Sequence, residues 1–101
     1  MAIVVGTRKD DTLDGTNNRD LIISFKGDDV INASGGSDIV LSGRGDDQVN
    51  VGDGNDLVFA GSGDDLVFGD AGSDILTGGR GNDIISGGST TNLASAKRGT
   101  C

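Results

Sequence analysis

Residues 61 to 83 read GSGDDLVFGDAGSDILTGGRGND, and Asp65, Asp74 and Asp83 stand nine residues apart. The interval holds backwards through Asp56, Asp47, Asp38, Asp29, Asp20 and Asp11, giving nine aspartates in one register with no insertion. With the recurring Asp at position 6, nine-residue units begin at 6, 15, 24, 33, 42, 51, 60, 69 and 78. Position 4 is Gly in seven of the nine (Gly27, Gly36, Gly45, Gly54, Gly63, Gly72, Gly81); Lys9 and Asn18 break it in the first two units. Position 8 is aliphatic throughout: Leu13, Ile22, Ile31, Val40, Val49, Val58, Val67, Leu76 and Ile85. A tenth unit, GGSTTNLAS at 87 to 95, decays, with Asn92 in place of the Asp and Ala94 at position 8.

An internal repeat of this kind decides the architecture before any local reading does. Positions 7 to 9, rich in Val, Ile, Leu and Phe, predict a three-residue strand. Positions 1 to 6 predict a turn, where glycine permits positive φ and close approach of backbones. Side chains alternate along a strand, so position 8 faces one way and positions 7 and 9 the other. A unit this short has no room for a helical crossover. Strand, turn, strand, turn makes an 18-residue coil, and stacked coils make two parallel sheets with position 8 between them. The expected fold is all-β, a parallel solenoid over residues 1–95 with a tail at 96–101.

Composition narrows the function. All 16 acidic residues are Asp, and the formal net charge is −8. The eight Lys and Arg are spread along the sequence with no basic patch, which argues against nucleic-acid binding. An anionic membrane surface repels such a chain, and no stretch approaches the roughly 20 apolar residues of a membrane span. The start, Met1 to Val5, is too short for a secretory signal core. The lone Cys101 has no internal disulfide partner. Dense carboxylates call for a counter-charge, and metal cations supply it most directly.

The units resemble the calcium-binding nonapeptide of the repeats-in-toxin (RTX) family, G-G-x-G-x-D-x-U-x. GGRGNDIIS (78 to 86) matches it throughout; SGRGDDQVN (42 to 50) and AGSGDDLVF (60 to 68) miss only the first Gly. The resemblance covers about residues 6 to 95 and implies a right-handed parallel β-roll with Ca²⁺ between neighbouring turns. It further implies that the earlier turn gives the carbonyls of positions 2 and 4 and its Asp. The turn 18 residues on gives the carbonyls of positions 1 and 3 and its Asp. Ca²⁺ takes 6 to 8 oxygen ligands, carbonyls included, so the donor set suits it.

Carried onto this chain, the resemblance implies one ion between Gly43, Gly45, Asp47 and Ala60, Ser62, Asp65. A second joins Gly61, Gly63, Asp65 to Gly78, Arg80, Asp83. On the other edge, Ser34, Gly36, Asp38 face Val51, Asp53, Asp56, and Gly52, Gly54, Asp56 face Gly69, Ala71, Asp74. A fifth joins Phe25, Gly27, Asp29 to Ser42, Arg44, Asp47. Sites built on Thr7 to Asp11 or Thr16 to Asp20 are expected to be weaker, since position 4 there is not Gly. So is a terminal site using Gly72, Asp74, Gly87 and Asn92, which loses a carboxylate. The count implied is about five to seven ions.

Other readings fit less well. The EF-hand loop ends in a Glu, and the chain has no Glu. GSGDDL lacks the third Gly and the βαβ setting of a dinucleotide fingerprint. Arg44-Gly45-Asp46 spells an integrin-type tripeptide but falls inside a metal turn. A single Asp of this kind is ordinarily a turn residue; nine in phase with Gly are not explained that way. No His is present to act as a base and no long loop to build a pocket, so no enzyme activity is expected.

Outward positions 7 and 9 differ between the two sheets. On the even sheet they are Leu21, Ile23, Ile39, Leu41, Leu57, Phe59, Ile75 and Thr77, apolar in seven of eight. On the odd sheet they are mostly polar until Leu66 and Phe68. A continuous apolar stripe calls for a cover, and the expected cover is a second copy packed even sheet to even sheet. The family resemblance implies a secreted, extracellular protein. Met1 and the degenerate ends suggest a complete small protein; the alternative is an adhesion or export-folding module of a larger RTX chain.

Overall fold

The computed structural model describes residues 2–86 and, at the level of the backbone, 93–98. It is built of strands alone: β1 (Ala2–Val5), β2 (Thr12–Asp14), β3 (Asp20–Ile23), β4 (Val30–Asn32), β5 (Ile39–Leu41), β6 (Gln48–Asn50), β7 (Leu57–Phe59), β8 (Leu66–Phe68), β9 (Ile75–Asn82), β10 (Ile84–Ser86) and β11 (Leu93–Arg98). Successive strands alternate between two sheets, ordered β1-β3-β5-β7-β9-β11 and β10-β8-β6-β4-β2. Every pairing is parallel, and between β2 and β10 the partners lie 18 residues apart, as Leu21 with Ile39 and Val49 with Val67. This is the two-sheet solenoid that the 18-residue coil dictates.

The interior is one double layer of side chains, and the molecule measures 30 × 29 × 13 Å. Position 8 fills it: Ile22, Ile31, Val40, Val49, Val58, Val67 and Leu76 are fully buried, with Val4, Leu13 and Ile85 packed against them. A second inward position, not anticipated, is position 1. Ala33, Val51 and Ala60 are buried there, as are Ser24 and Ser42. The two hydroxyls stay satisfied, since Ser24 Oγ donates to the Ser42 carbonyl (2.6 Å) and Ser42 Oγ to the Ala60 carbonyl (2.8 Å). The signal was visible as a run of Gly, Ser and Ala at position 1, broken only by Val51. Where the strands bend into turns the coil narrows, and small side chains fit.

Two elements depart from the nine-residue reading. The repeat continues one unit further back than its aspartates show, because β1 pairs with β3 and places Val4 beside Ile22. At the other end β9 runs on through Gly78 to Asn82, residues expected to form a turn, because β11 follows it with register shifts after Ser95 and Ala96.

Candidate metal centres

Each position-6 Asp stands at the start of a strand, after a turn everywhere but at Asp83, which follows β9, and coil stacking sets these residues in two columns. One column is Asp11, Asp29, Asp47, Asp65 and Asp83; the other is Asp20, Asp38, Asp56 and Asp74. Asp20 and all the aspartates from Asp29 onward in these columns are buried. Within a column each Asp N–H donates to Oδ1 of the Asp one coil later: Asp29 to Asp47 (2.9 Å), Asp47 to Asp65 (2.9 Å), Asp65 to Asp83 (2.9 Å), Asp38 to Asp56 (2.8 Å). One oxygen of each carboxylate is thereby used. The other, Oδ2, is buried with no hydrogen-bond partner at Asp29, Asp38, Asp47, Asp56, Asp65 and Asp83.

The first two aspartates are held differently. Thr7 donates its N–H (2.6 Å) and hydroxyl (3.0 Å) to Asp11, and Thr16 donates its N–H (2.6 Å) and hydroxyl (2.9 Å) to Asp20. The Thr16 backbone bond outweighs burial and holds the Asp20 carboxyl below its ordinary range. Burial pushes Asp38 up to about 6, Asp47 and Asp56 to about 7 and Asp65 to about 8; like-charged neighbours in the column add to it. Asp74 and Asp83 are also raised by burial.

The turns between the carboxylates are shaped by positive-φ residues. Positions 2 and 4 carry positive φ, as at Gly43 (82°), Gly45 (113°), Gly61 (83°) and Gly63 (115°), and on the other edge at Gly36, Gly52, Gly54 and Gly72. This turns their carbonyls along the stack. A methyl on Gly45 would strike the Gly27 carbonyl oxygen, one on Gly63 that of Gly45, and one on Gly61 that of Gly43. The same holds for Gly52 against Ser34 and Gly54 against Gly36. From the facing coil, the Ser62 and Arg80 carbonyls point back, accepting the N–H groups of Gly45 (3.0 Å) and Gly63 (3.1 Å). The Ser42 and Ala60 carbonyls also point back, to the interior serines. The Phe25 carbonyl accepts the Arg44 N–H at 2.8 Å. Gly78 lies directly against the Asp83 carboxylate.

The structure thus brings together carboxylates of adjacent coils and the carbonyls between them. Val51, Asp53, Gly69 and Ala71 lie on the even-edge turns opposite the Ser34–Asp38 and Gly52–Asp56 segments; Gly87 and Asn92 lie outside the described residues. Among the described residues no three acidic, His or Cys side chains converge on one point. A cation between coils would therefore take two carboxylates and complete its shell with carbonyls. Such an all-oxygen set suits a hard divalent ion.

The sequence reading overlooked a second ladder outside the first. Asp10, Asp28, Asp46 and Asp64 occupy position 5, and their Oδ1 atoms accept the N–H groups of Asp28, Asp46, Asp64 and Asn82, each at 2.8 Å. It was detectable as alternation of Asp at position 5 in odd units only.

A parallel strand solenoid edged by stacked carboxylates defines a class of repeat protein that carries its functional groups in its turns. Residues 5–40, 22–49, 34–67, 41–76 and 59–93 match the RTX calcium-binding nonapeptide repeat (4 copies), and the chain belongs to that family. No curated protein and no solved structure matches it. The family is a calcium-binding β-roll, a structural repeat typical of secreted bacterial proteins. No helix of the described residues is long and apolar enough to cross a membrane.

Proposed function

We propose that this chain is a calcium-driven folding module: Ca²⁺ held between stacked turns supplies the free energy that orders the solenoid. One observation carries the reading, the buried and unpartnered Oδ2 atoms repeated along both edges. An uncompensated buried carboxylate costs several kcal/mol, and a thin aliphatic interior has little to set against several of them. A divalent cation between coils removes the penalty and the repulsion between neighbours together. The ligand groups are those given by the repeat: Asp29, Asp38, Asp47, Asp56, Asp65, Asp74 and Asp83 with the inter-coil carbonyls, for about five to seven ions. Metal binding is then folding free energy. In excess chelator at mildly alkaline pH the circular dichroism spectrum should be that of a disordered chain, and calcium should restore the strand signal. A fully folded spectrum in chelator overturns the reading.

The even sheet supports a second element, self-association. Its outer face carries Leu21, Ile23, Ile39, Leu41, Leu57, Phe59 and Ile75, and β1 extends it with Ile3 and Val5, both more than half exposed. A second copy related by a twofold axis covers this flat stripe. Secretion to the extracellular space, where calcium is plentiful, accords with such a module. The alternative role is an adhesion or export-folding segment of a larger RTX chain.

A further inference from the structure

The coil gathers cations that the sequence spreads apart, which corrects the expectation of no basic patch. Arg8, Lys26 and Arg44 all occupy position 3 of odd-edge turns, one coil apart, and Lys26 and Arg44 are parallel bridge partners. At the strand spacing of about 4.8 Å, the three stand within roughly 10 Å of one another. All three are exposed. Among the described residues none is in an ion pair. The cause is local: the nearest acidic residues along the chain, Asp10, Asp28 and Asp46, are turned onto the backbone N–H groups of Asp28, Asp46 and Asp64. Asp29 and Asp47 are buried behind them. Like charges stacked across adjacent strands are destabilising, so this column has a cost that no ion pair offsets.

The three cations and Phe25, with Gly43, line one depression of about 270 Å³. Phe25 is 48% exposed and sits at φ 69°, a left-handed conformation that bulky residues rarely adopt. The next two coils place Gly43 and Gly61 at the same point of the turn, with φ of 82° and 83°. Two independent anomalies, a stack of cations in no ion pair and a strained exposed aromatic, therefore share one cavity.

We propose that this depression binds an organic phosphate monoester, with the phosphate held by Arg8, Lys26 and Arg44 and the organic body laid over Phe25. Guanidinium forks match phosphate oxygens in pairs, and an aromatic face accepts an apolar body. The site lies outside the carboxylate columns and uses none of their oxygens. The monoester is either a soluble compound or a lipid headgroup.

The test is calorimetric titration of the calcium-loaded full chain with phenyl phosphate and with methyl phosphate, fold being checked by circular dichroism. Lys26→Gln with Arg44→Gln should weaken phenyl phosphate about tenfold or more, the scale of losing charged hydrogen bonds. Arg19→Gln, an exposed cation on the other edge, should leave it unchanged. Phe25→Gly should weaken phenyl phosphate several-fold and methyl phosphate little, while raising the melting temperature through relief of strain. Vesicles of phosphatidylcholine with and without phosphatidic acid separate the lipid source from the soluble one. If the double variant binds phenyl phosphate as the parent does, calcium bridging rather than the cations holds the anion and the proposal fails. Equal losses from Arg19→Gln, or no binding of phenyl phosphate or phosphatidic acid, overturn it as well.

Discussion

A methyl group at Gly45 has nowhere to go. Its φ of 113° lies in the left-handed region, and a Cβ there would meet the Gly27 carbonyl oxygen one coil back. Gly45→Ala should therefore cost more than about 1 kcal/mol. Gly35→Ala is its control: φ there is not positive and the nearest atoms to an added Cβ lie 3.7 Å away. It should stay within about 0.5 kcal/mol. Denaturation at saturating calcium measures both, and equal losses would show that the turns do not depend on glycine geometry. Position 4 was legible because its glycine recurs with the aspartate. Phe25, Ser34 and Asp70 were not, since all three take positive φ at position 2 without being glycine. Stacking on the neighbouring coil imposes that conformation, and single-residue preference cannot reveal it. The threonines were missed for a related reason: Thr7 and Thr16 look like unremarkable departures from glycine until their hydroxyls are seen on Asp11 and Asp20.

At the scale of the element, a column of aspartates is a chain of shared bonds. Asp65 accepts from Asp47 and donates to Asp83, so it belongs to two inter-coil gaps. Asp65→Ala should lower calcium stoichiometry by about two and raise the calcium midpoint. Asp11→Ala should leave stoichiometry near the parent value, because Thr7 already occupies both oxygens of that carboxylate. Equal stoichiometries for the two variants by equilibrium dialysis would refute this ranking. The columns also set the pH response. Folding without metal raises Asp38, Asp47, Asp56 and Asp65 from 3.8, to about 6 at Asp38 and as far as about 8 at Asp65. A raised carboxyl binds its proton more tightly in the folded state. Its contribution to stability is fully present below the unfolded value and is lost as pH rises through the folded one. The metal-free chain should thus gain strand signal as pH falls from about 8 to 5. The calcium midpoint should climb over the same interval, because the ion displaces those protons. A metal-free spectrum flat across that range would contradict the burial described here. The columns themselves were readable from the nine-residue beat; the Oδ1 bonds within them depend on which way each carboxylate turns, which spacing does not encode.

At the scale of the whole molecule, the strands, their alternation between sheets and the position-8 core followed from the repeat. What escaped was whatever lacked an aspartate to mark it. β1 has Ala2 where the Asp would stand, and the length of β9 depends on the register shifts of its pairing with β11. The proposed homodimer packs through the apolar face of the even sheet, so Leu57→Asp with Phe59→Lys should yield a calcium-loaded monomer in sedimentation and the parent a dimer. A monomeric parent at high concentration would exclude the homodimer. Finally, the solenoid has a grain. Its first two turns carry their own threonine staples, whereas under the proposed function the coils from Asp29 onward depend on the ion. In a nearest-neighbour array such asymmetry gives growth a direction: the N-terminal coil is a standing template, and depletion of the ion frays the stack toward it, leaving a seed from which order returns.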